Sequence, residues 1–373
     1  MKVKIFGAGS IGNHIANASR VLGWSVCICD TDPRALIRTK EMIYPGRYGA
    51  WDEEIQLFDN KSAPCGGFDL IVIGTPPDVH LQLALEALRE DPRAILIEKP
   101  VCGPDLMFAD EFIREAENRQ ISAFVGYDHV VGQASQIVTK TTVSNDLRQP
   151  ITLDVEFREY WGGIFSAHPW LAGPEDSYLG FSHRGGGASG EHSHAVNLWQ
   201  HFAHVLNCGR IVEVQATLDF VKNGKTNYDQ LCLMNLRTEN GLVGRCIQDV
   251  VTQPSRKWAR IQYSNVYIEG HCSKEPGLDV VSATIGANSQ LEQRIRKTRP
   301  DDFIEELKHI EVALNGDSER SPVHIKRGLD TMLVVAACHF SHQTGRQVSI
   351  DYSKGYTTSA LTPIRRYNHE ANE

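Results

Sequence analysis

Glu191 and His194 stand three residues apart in the stretch Gly185-Gly186-Gly187-Ala188-Ser189-Gly190-Glu191-His192-Ser193-His194. Ala195, Leu198, Phe202 and Val205 continue it at helical spacing, and Ser189 is placed to serve as N-cap. On one continuous helix Glu191 and His194 share a face. A carboxylate beside an imidazole raises the basicity of the ring, which suits a general base working near neutral pH. The three glycines allow positive φ or a close approach of backbone to ligand. A capped helix with an ordinary surface ion pair would show the same spacing, so the decision rests upstream. There, Lys99 lies between Glu98 and Pro100, directly after the apolar run Ala94-Ile95-Leu96-Ile97. A lysine at the end of a buried strand is a poor candidate for an ordinary solvated charge. A metal has a weaker claim. His194, His201 and His204 fall on one helix stripe, but i and i+7 are about 10 Å apart along the axis, too far to share an ion. No metal is expected.

The elements that must position these groups begin at the amino terminus. Val3-Lys4-Ile5-Phe6 reads as a strand, and Gly7-Ala8-Gly9-Ser10-Ile11-Gly12 follows at once. A helix pattern carrying Ile15, Ala18 and Leu22 closes at Gly23, and a second strand runs to Asp30. This is the strand–turn–helix context in which GxGxxG cradles a dinucleotide pyrophosphate. Asp30 would accept hydrogen bonds from the adenosine ribose hydroxyls and repel a 2′-phosphate, which favours NAD over NADP. Arg34 is near enough to weaken that preference. The apolar run Phe68-Asp69-Leu70-Ile71-Val72-Ile73 reads as an inner parallel strand. It leads into Gly74-Thr75-Pro76-Pro77-Asp78-Val79-His80, a loop and helix start. Ligands of doubly wound sheets bind beyond the carboxyl ends of the strands, so Lys99 is directed at the cofactor crevice.

A chain of 373 residues is too long for one compact core, so two domains are expected. The net charge of −8, without any Lys/Arg run, argues against a nucleic-acid partner. Nine cysteines with no CxxC pair read as reduced thiols, not a disulfide framework. No leading apolar segment and no run of 18 apolar residues is present, so a cytoplasmic protein with no membrane partner is expected.

Four of these elements together resemble the Gfo/Idh/MocA oxidoreductases, the family of glucose-fructose oxidoreductase and inositol dehydrogenase. They are Gly7-Ala8-Gly9-Ser10-Ile11-Gly12, Gly74-Thr75-Pro76-Pro77 with His80, Glu98-Lys99-Pro100, and the stretch from Gly185 to Asn197. The resemblance implies an α/β chain: a Rossmann domain with a doubly wound parallel sheet, then an α+β domain on a large, open, mainly antiparallel sheet. We place these at residues 1–126 and 127–373, with the last helix and tail packing back on the first domain. It implies cofactor contacts from Gly7, Gly9, Ser10, Ile11, Gly12, Asp30, Arg34, Thr75, Pro76, His80, Glu98 and Lys99. It also implies Lys99 and His194 as the catalytic pair, with Glu191 as the acid that orients the histidine. Two departures are visible. Many members have an aspartate four residues before the histidine, where this chain has Glu191 three before it. The tyrosine-asparagine-histidine-arginine pattern after the next strand reads Tyr127-Asp128-His129-Val130, so an arginine is lost and an acid gained.

In the second half, residues 151–160 alternate as a half-exposed strand should. Residues 161–184 form a long stretch rich in glycine, proline and aromatics, read as the wall or lid over the substrate. Candidate substrate contacts are Tyr127, His129, Trp161, His168, Trp170, Arg184 and Asn197. Strand patterns recur at 211–221, 230–237, 241–251, 258–263 and 266–270, and helices at 303–315 and 325–344. An open sheet with one uncovered face leads us to expect a homo-oligomer joined through it. The leading function is NAD-dependent hydride transfer at a secondary alcohol of a sugar, a sugar derivative or a cyclitol. The alternatives are redox-assisted glycoside cleavage on the same fold and a non-catalytic NAD-binding sensor.

Overall fold

The structure is a computed structural model that describes residues 1–147, 149–285 and 289–364. Six parallel strands form the first sheet: β1 (Lys2–Phe6), β2 (Ser25–Asp30), β3 (Ile55–Asp59), β4 (Leu70–Ile73), β5 (Ala94–Ile97) and β6 (Ser122–Val125). Their order is β3-β2-β1-β4-β5-β6, so the topology reverses between β1 and β4. β4 and β5 are buried along their whole length, as continuous apolar runs between two helical layers should be. The turn after β1 shows why its last glycine is needed. A Cβ on Gly12 would stand 2.0 Å from the Gly7 carbonyl oxygen, so only glycine lets the 10–21 helix pack this closely on the turn.

The second sheet has ten strands in the order β14-β13-β12-β11-β7-β10-β9-β8-β15-β16. They are β7 (Thr152–Arg158), β8 (Ile211–Asn223), β9 (Thr226–Thr238), β10 (Val243–Asp249), β11 (Arg256–Gln262), β12 (Tyr267–Glu275), β13 (Leu278–Ile285), β14 (Ser289–Arg296), β15 (Gln347–Ile350) and β16 (Leu361–Ile364). Every pairing is antiparallel except β7 with β10. β3, β13, β14, β15 and β16 add to the strands read from pattern alone. β16 contains Pro363, which a sheet edge tolerates because no ladder donor is lost there.

The helix Ile325–Thr344 is mostly buried, with 13 of its 20 residues inside, and joins the two sheets. Just before it, the Val323 carbonyl accepts from the Val125 amide at 2.8 Å, and His324 bridges Phe124 at the free edge of the parallel sheet. This helix therefore packs back on the first domain; the chain end beyond residue 364 lies outside the described residues. No described helix is long and apolar enough to cross a membrane. All nine cysteines are free thiols, eight of them buried.

Candidate active site

A cleft of about 500 Å³ opens at the carboxyl ends of β1, β2 and β4. Gly7, Gly9, Asp30, Thr31, Arg38, Asn60, Thr75 and Pro76 are on its wall. No heavy atom lies within 4 Å of where a Cβ on Gly9 would stand, so the turn leaves open the space a pyrophosphate needs, at the amino end of the 10–21 helix. Asp30 is held in place from behind: Oδ2 accepts from the Ala8 amide at 2.8 Å and Oδ1 from the Asp32 amide at 2.9 Å. Its remaining lone pairs are available to a ribose diol. These features fit a dinucleotide. Arg34 does not belong to the cleft wall. Its guanidinium pairs with Asp32 and is 86% exposed, while Arg38, one helical turn on, takes the place at the wall. Ser10 and Ile11 start the helix beside the turn, with Ser10 Oγ accepting from Arg47 at 2.7 Å.

His80 and Glu98 shape this cleft from the interior. The His80 ring spans the carbonyls of Thr75 (2.6 Å) and Pro100 (3.0 Å). Burial lowers its pKa to about 4 against both carbonyls, so the neutral ring donates to one of them at a time. It ties the Gly74–Pro77 loop to the turn after Lys99. The Glu98 carboxyl lies beneath Gly126, and burial raises its pKa to about 7. Neither side chain is among the residues on the cleft wall.

Lys99 leaves the end of β5 and meets Glu191 twice. Its Nζ stands 3.2 Å from Glu191 Oε2 and donates to the Glu191 carbonyl oxygen at 3.0 Å. Tyr178 Oη donates to the same carboxylate at 3.3 Å. Burial works against the Glu191 charge, but Lys99 and then His192 outweigh it and hold the carboxyl below its ordinary value. The single helix expected through this stretch is two helices, Gly187–Glu191 and His194–Val205. Ser189 is not the N-cap; it is buried in the first helix, where Asp229 accepts from its amide at 2.7 Å and from its Oγ at 3.1 Å. Gly187, at φ +75°, has the Asp229 carboxylate 2.1 Å from where its Cβ would be. Asp229 on β9 thus caps the start of the first helix; at its other end the Ser193 amide turns back onto the Gly190 carbonyl at 3.1 Å, and the second helix begins at His194. Glu191 consequently turns to Lys99 and not to His194.

The acid that faces His194 is Asp128, in the turn after β6. His194 Nδ1 and Asp128 Oδ1 are 3.7 Å apart, beyond hydrogen-bond distance, and neither atom has a hydrogen-bond partner among the described residues. His129 Nε2 lies 3.9 Å from the same oxygen. Arg299, at the start of the Arg299–Leu314 helix, donates to Asp128 Oδ2 at 3.0 Å and to Asp302 at 3.1 Å. Burial opposes ionisation of Asp128, but the positive groups around it outweigh burial and keep the carboxyl well below the usual range. Burial drives the His194 pKa well below its ordinary value, with His129 adding to the fall and Asp128 opposing it. His129 is lowered by burial as well. The site at neutral pH is therefore an ionised aspartate between two neutral imidazoles. Tyr127 and His129 meet the His194 ring edge-on, at centroid distances of 5.4 and 4.7 Å. Asp128, His129 and His194 place their ligand atoms within 4.8 Å of one another. The Arg299 ion pair and the nearby Lys99, Lys257 and Lys297 charges oppose a divalent cation there, and fit a proton-handling group.

Residues 1–127 match the model of the Gfo/Idh/MocA oxidoreductase family, described by its NAD-binding Rossmann fold. The chain carries the NAD-binding domain of the Gfo/Idh/MocA oxidoreductases. No curated protein matches the chain by sequence. Among solved structures, similarity extends over both domains. An oxidoreductase from Agrobacterium radiobacter in complex with NAD+, L-tartaric acid and magnesium is 20% identical, with a TM-score of 0.73, covering 94% of this chain and 98% of that one. An NAD-binding oxidoreductase from Klebsiella pneumoniae is 14% identical, with a TM-score of 0.72 and the same coverage. A levoglucosan dehydrogenase in complex with NADH and levoglucosan is 16% identical, with a TM-score of 0.74, again covering 94% and 98%. At these identities the shared property is the fold.

The remaining candidates divide. Tyr127 and His129 are at the site; Tyr127 Oη donates to Ser193 Oγ at 3.1 Å and so braces the turn before His194. Trp161 belongs to a small apolar cluster with Leu179, Ala188 and Val250. Its ring supports the 161–184 segment from within. His168 caps its own short helix through the Ile164 carbonyl and meets Trp170 edge-on. Trp170 reaches the first domain, where the Arg38 guanidinium stands 5.3 Å above its ring at the cofactor cleft. Arg184 is committed to Asp78 of the first domain through two hydrogen bonds of 2.8 and 3.3 Å. The segment thus straddles the crevice between domains, fastened at both ends. Asn197 turns away from the site and donates to Thr331 at 3.1 Å. Sequence reasoning placed neither Asp128 nor Arg299 nor Tyr178 in the site. The acid gained at Asp128 was the one available signal; Arg299 lies 171 residues further on, with no local mark.

Proposed function

We propose that this chain is an NAD-dependent dehydrogenase or reductase acting at a secondary alcohol or ketone of a sugar, sugar derivative, nucleotide-sugar or cyclitol, with Lys99 and His194 handling the proton. NAD bound in the cleft supplies the hydride acceptor or donor. The observation that carries the reading is a lysine pinned by Glu191 at the end of β5, its charge felt by a neutral histidine that faces an ionised aspartate. With the Nδ1 proton directed at Asp128, the His194 Nε2 lone pair is free to take the hydroxyl proton in oxidation and return it in reduction. Asp128 stabilises the imidazolium formed, as the acid of a triad does, without itself taking the proton. Lys99, fixed by the carboxylate and carbonyl of Glu191, holds a positive charge where negative charge grows on the substrate oxygen. A sensor would need neither arrangement. The carbohydrate class is supported by the similar fold of the levoglucosan dehydrogenase. We further propose a homo-oligomer joined through the uncovered face of the ten-stranded sheet, testable by light scattering.

The test is formation of reduced nicotinamide from NAD across a panel of free sugars, anhydrosugars, cyclitols and nucleotide-sugars, repeated with Lys99→Met. Turnover of a carbohydrate that is lost in the variant supports the reading. Release of an aglycone from a glycoside without net NADH would replace it by redox-assisted cleavage. Tight NAD binding with no turnover of any panel member would favour the sensor.

A further inference from the structure

An ion pair that the proposed chemistry does not use stands at the edge of the site. β11 lies antiparallel to β7 with Lys257 directly opposite Phe157, so the two side chains leave the same face of the sheet, their Cβ atoms about 5 Å apart. That face is the one against which the two histidines pack. The Phe157 ring lies 5.1 Å from His129 and 6.2 Å from His194, centroid to centroid. Glu159 follows two residues after Phe157, and its Oε2 is 2.8 Å from Lys257 Nζ. The pair is felt in both halves of the site. The Lys257 charge acts on His194 and on Glu191. Burial works against the Glu159 charge, but Lys257, and after it His192 and Lys99, hold its carboxyl below its ordinary value. The Lys257 and Glu159 side chains are 23% and 35% exposed, against 17% or less for Lys99, Glu191, His129 and His194. They are therefore the part of the group most open to a ligand, and beyond their mutual contact the ammonium keeps donors and the carboxylate keeps lone pairs.

The charge balance narrows what such a ligand can be. Lys99, Lys257, Lys297 and Arg299 are the cations that act on His194, Asp128 and Glu191, and each of them is matched. Lys99 has Glu191 at 3.2 Å and Lys257 has Glu159 at 2.8 Å. Arg299 has Asp128 at 3.0 Å and Asp302 at 3.1 Å. Lys297 has Asp302 at 2.7 Å and Asp279 at 2.9 Å. Five carboxylates thus answer four cations, and none of the four is left over for a carboxylate or phosphate on the reacting ring. An anion there would have to displace one of these partners or lie beside it uncompensated, and either weakens binding. A donor and an acceptor side by side match two neighbouring hydroxyls instead, one accepting from Lys257 and the other donating to Glu159. We propose that Lys257 and Glu159 set the specificity of the site by gripping vicinal hydroxyls of an uncharged polyhydroxylated ring. This rests on the dehydrogenase reading above and narrows its substrate. Neutralising Glu159 would leave Lys257 without its partner, and the same edge would then suit a ring that carries a carboxylate.

The test uses the full chain saturated with NAD and probes matched in ring but not in charge: D-glucose with D-glucuronate, D-galactose with D-galacturonate, and myo-inositol with myo-inositol 1-phosphate. NADH formation gives kcat and KM, and the fluorescence of NADH-loaded protein shows whether a change in KM is a change in binding. In a pair that turns over, wild type should favour the neutral member by at least about tenfold in kcat/KM. Lys257→Met should raise KM for the neutral member about tenfold while kcat stays within about threefold, as loss of a contact made equally in ground and transition states does. Glu159→Gln should raise kcat/KM for the anionic member relative to its neutral partner by at least about tenfold. Glu159→Ala, which also frees Lys257, should repeat that gain, and the Lys257→Met/Glu159→Gln double variant should abolish it. A merely structural pair would lower both members together and could not produce the gain. Preference of wild type for the anionic member, an unchanged KM in both single variants, or no shift towards the anion in either Glu159 variant overturns the proposal and leaves the dehydrogenase reading standing. No turnover of any member by wild type removes that reading, and this one with it.

Discussion

Asp128→Asn is the sharpest probe of the proposed proton-handling group, because Asp128, and not Glu191, is the carboxylate that faces His194. The Asp128 Oδ1 to His194 Nδ1 separation is 3.7 Å. At an effective dielectric of about 20, a unit charge at that distance favours the imidazolium by about 4 kcal/mol, which corresponds to about 3 pKa units. Arg299 on the other carboxylate oxygen offsets part of this, so a net change of about 1–2 units is expected. The sign follows from the charge: Asp128 opposes the fall that burial imposes on His194, so neutralising it makes the ring less basic still. The acidic limb of kcat/KM should therefore move to lower pH by at least about one unit, and the plateau kcat should drop by about 10- to 100-fold as the base weakens. Glu191→Gln provides the contrast. Its carboxylate faces Lys99 and Tyr178, so kcat should fall while the acidic limb stays within about 0.3 units of wild type. Both profiles are measured as NAD reduction at saturating NAD, with circular dichroism to confirm folding. An unmoved limb in Asp128→Asn together with a shifted one in Glu191→Gln would return the orienting role to Glu191.

Lys99→Met and His194→Ala should each lose about 10²–10⁴-fold in kcat while NAD affinity, read by fluorescence titration, stays within a few-fold; a variant keeping more than about a third of wild-type turnover takes that residue out of proton handling. Asp30→Ala should narrow the preference for NAD over NADP, measured as the ratio of the two dissociation constants, and Arg34→Ala should leave that ratio unchanged because its guanidinium is off the cleft wall. Stability should fall on acidification. Burial lowers His80 and His192 from 6.5 to about 4, so each contributes stability that is complete above pH 6.5 and is lost as pH falls towards 4, where the unfolded chain binds more protons. Urea midpoints between pH 4 and 7 should rise with pH, and His80→Gln should flatten the rise; a flat wild-type profile would remove burial as the cause.

The first domain was legible because its signals are local. GxGxxG between a strand and a helix, an acid at the end of the second strand, and Glu98-Lys99-Pro100 after an apolar run each act within a few residues of backbone. Fold class and cofactor followed from them. Strand patterning found the middle of the second sheet but not β13 to β16, whose partners are chosen by position in the sheet. The site itself was half legible. Lys99 and His194 are recognisable by type and context, whereas the company they keep is set at long range. Asp229 on β9 takes the capping role expected of Ser189, and the helix that local propensity would continue breaks at His192 and Ser193. That break swings Glu191 onto a lysine 92 residues away and leaves His194 to an aspartate 66 residues away. Periodicity specifies which residues share a face only while the helix lasts. Where it ends shows only in the folded chain, where the His192 carbonyl accepts from the buried Gln248 side chain of β10, since buried polar groups need partners.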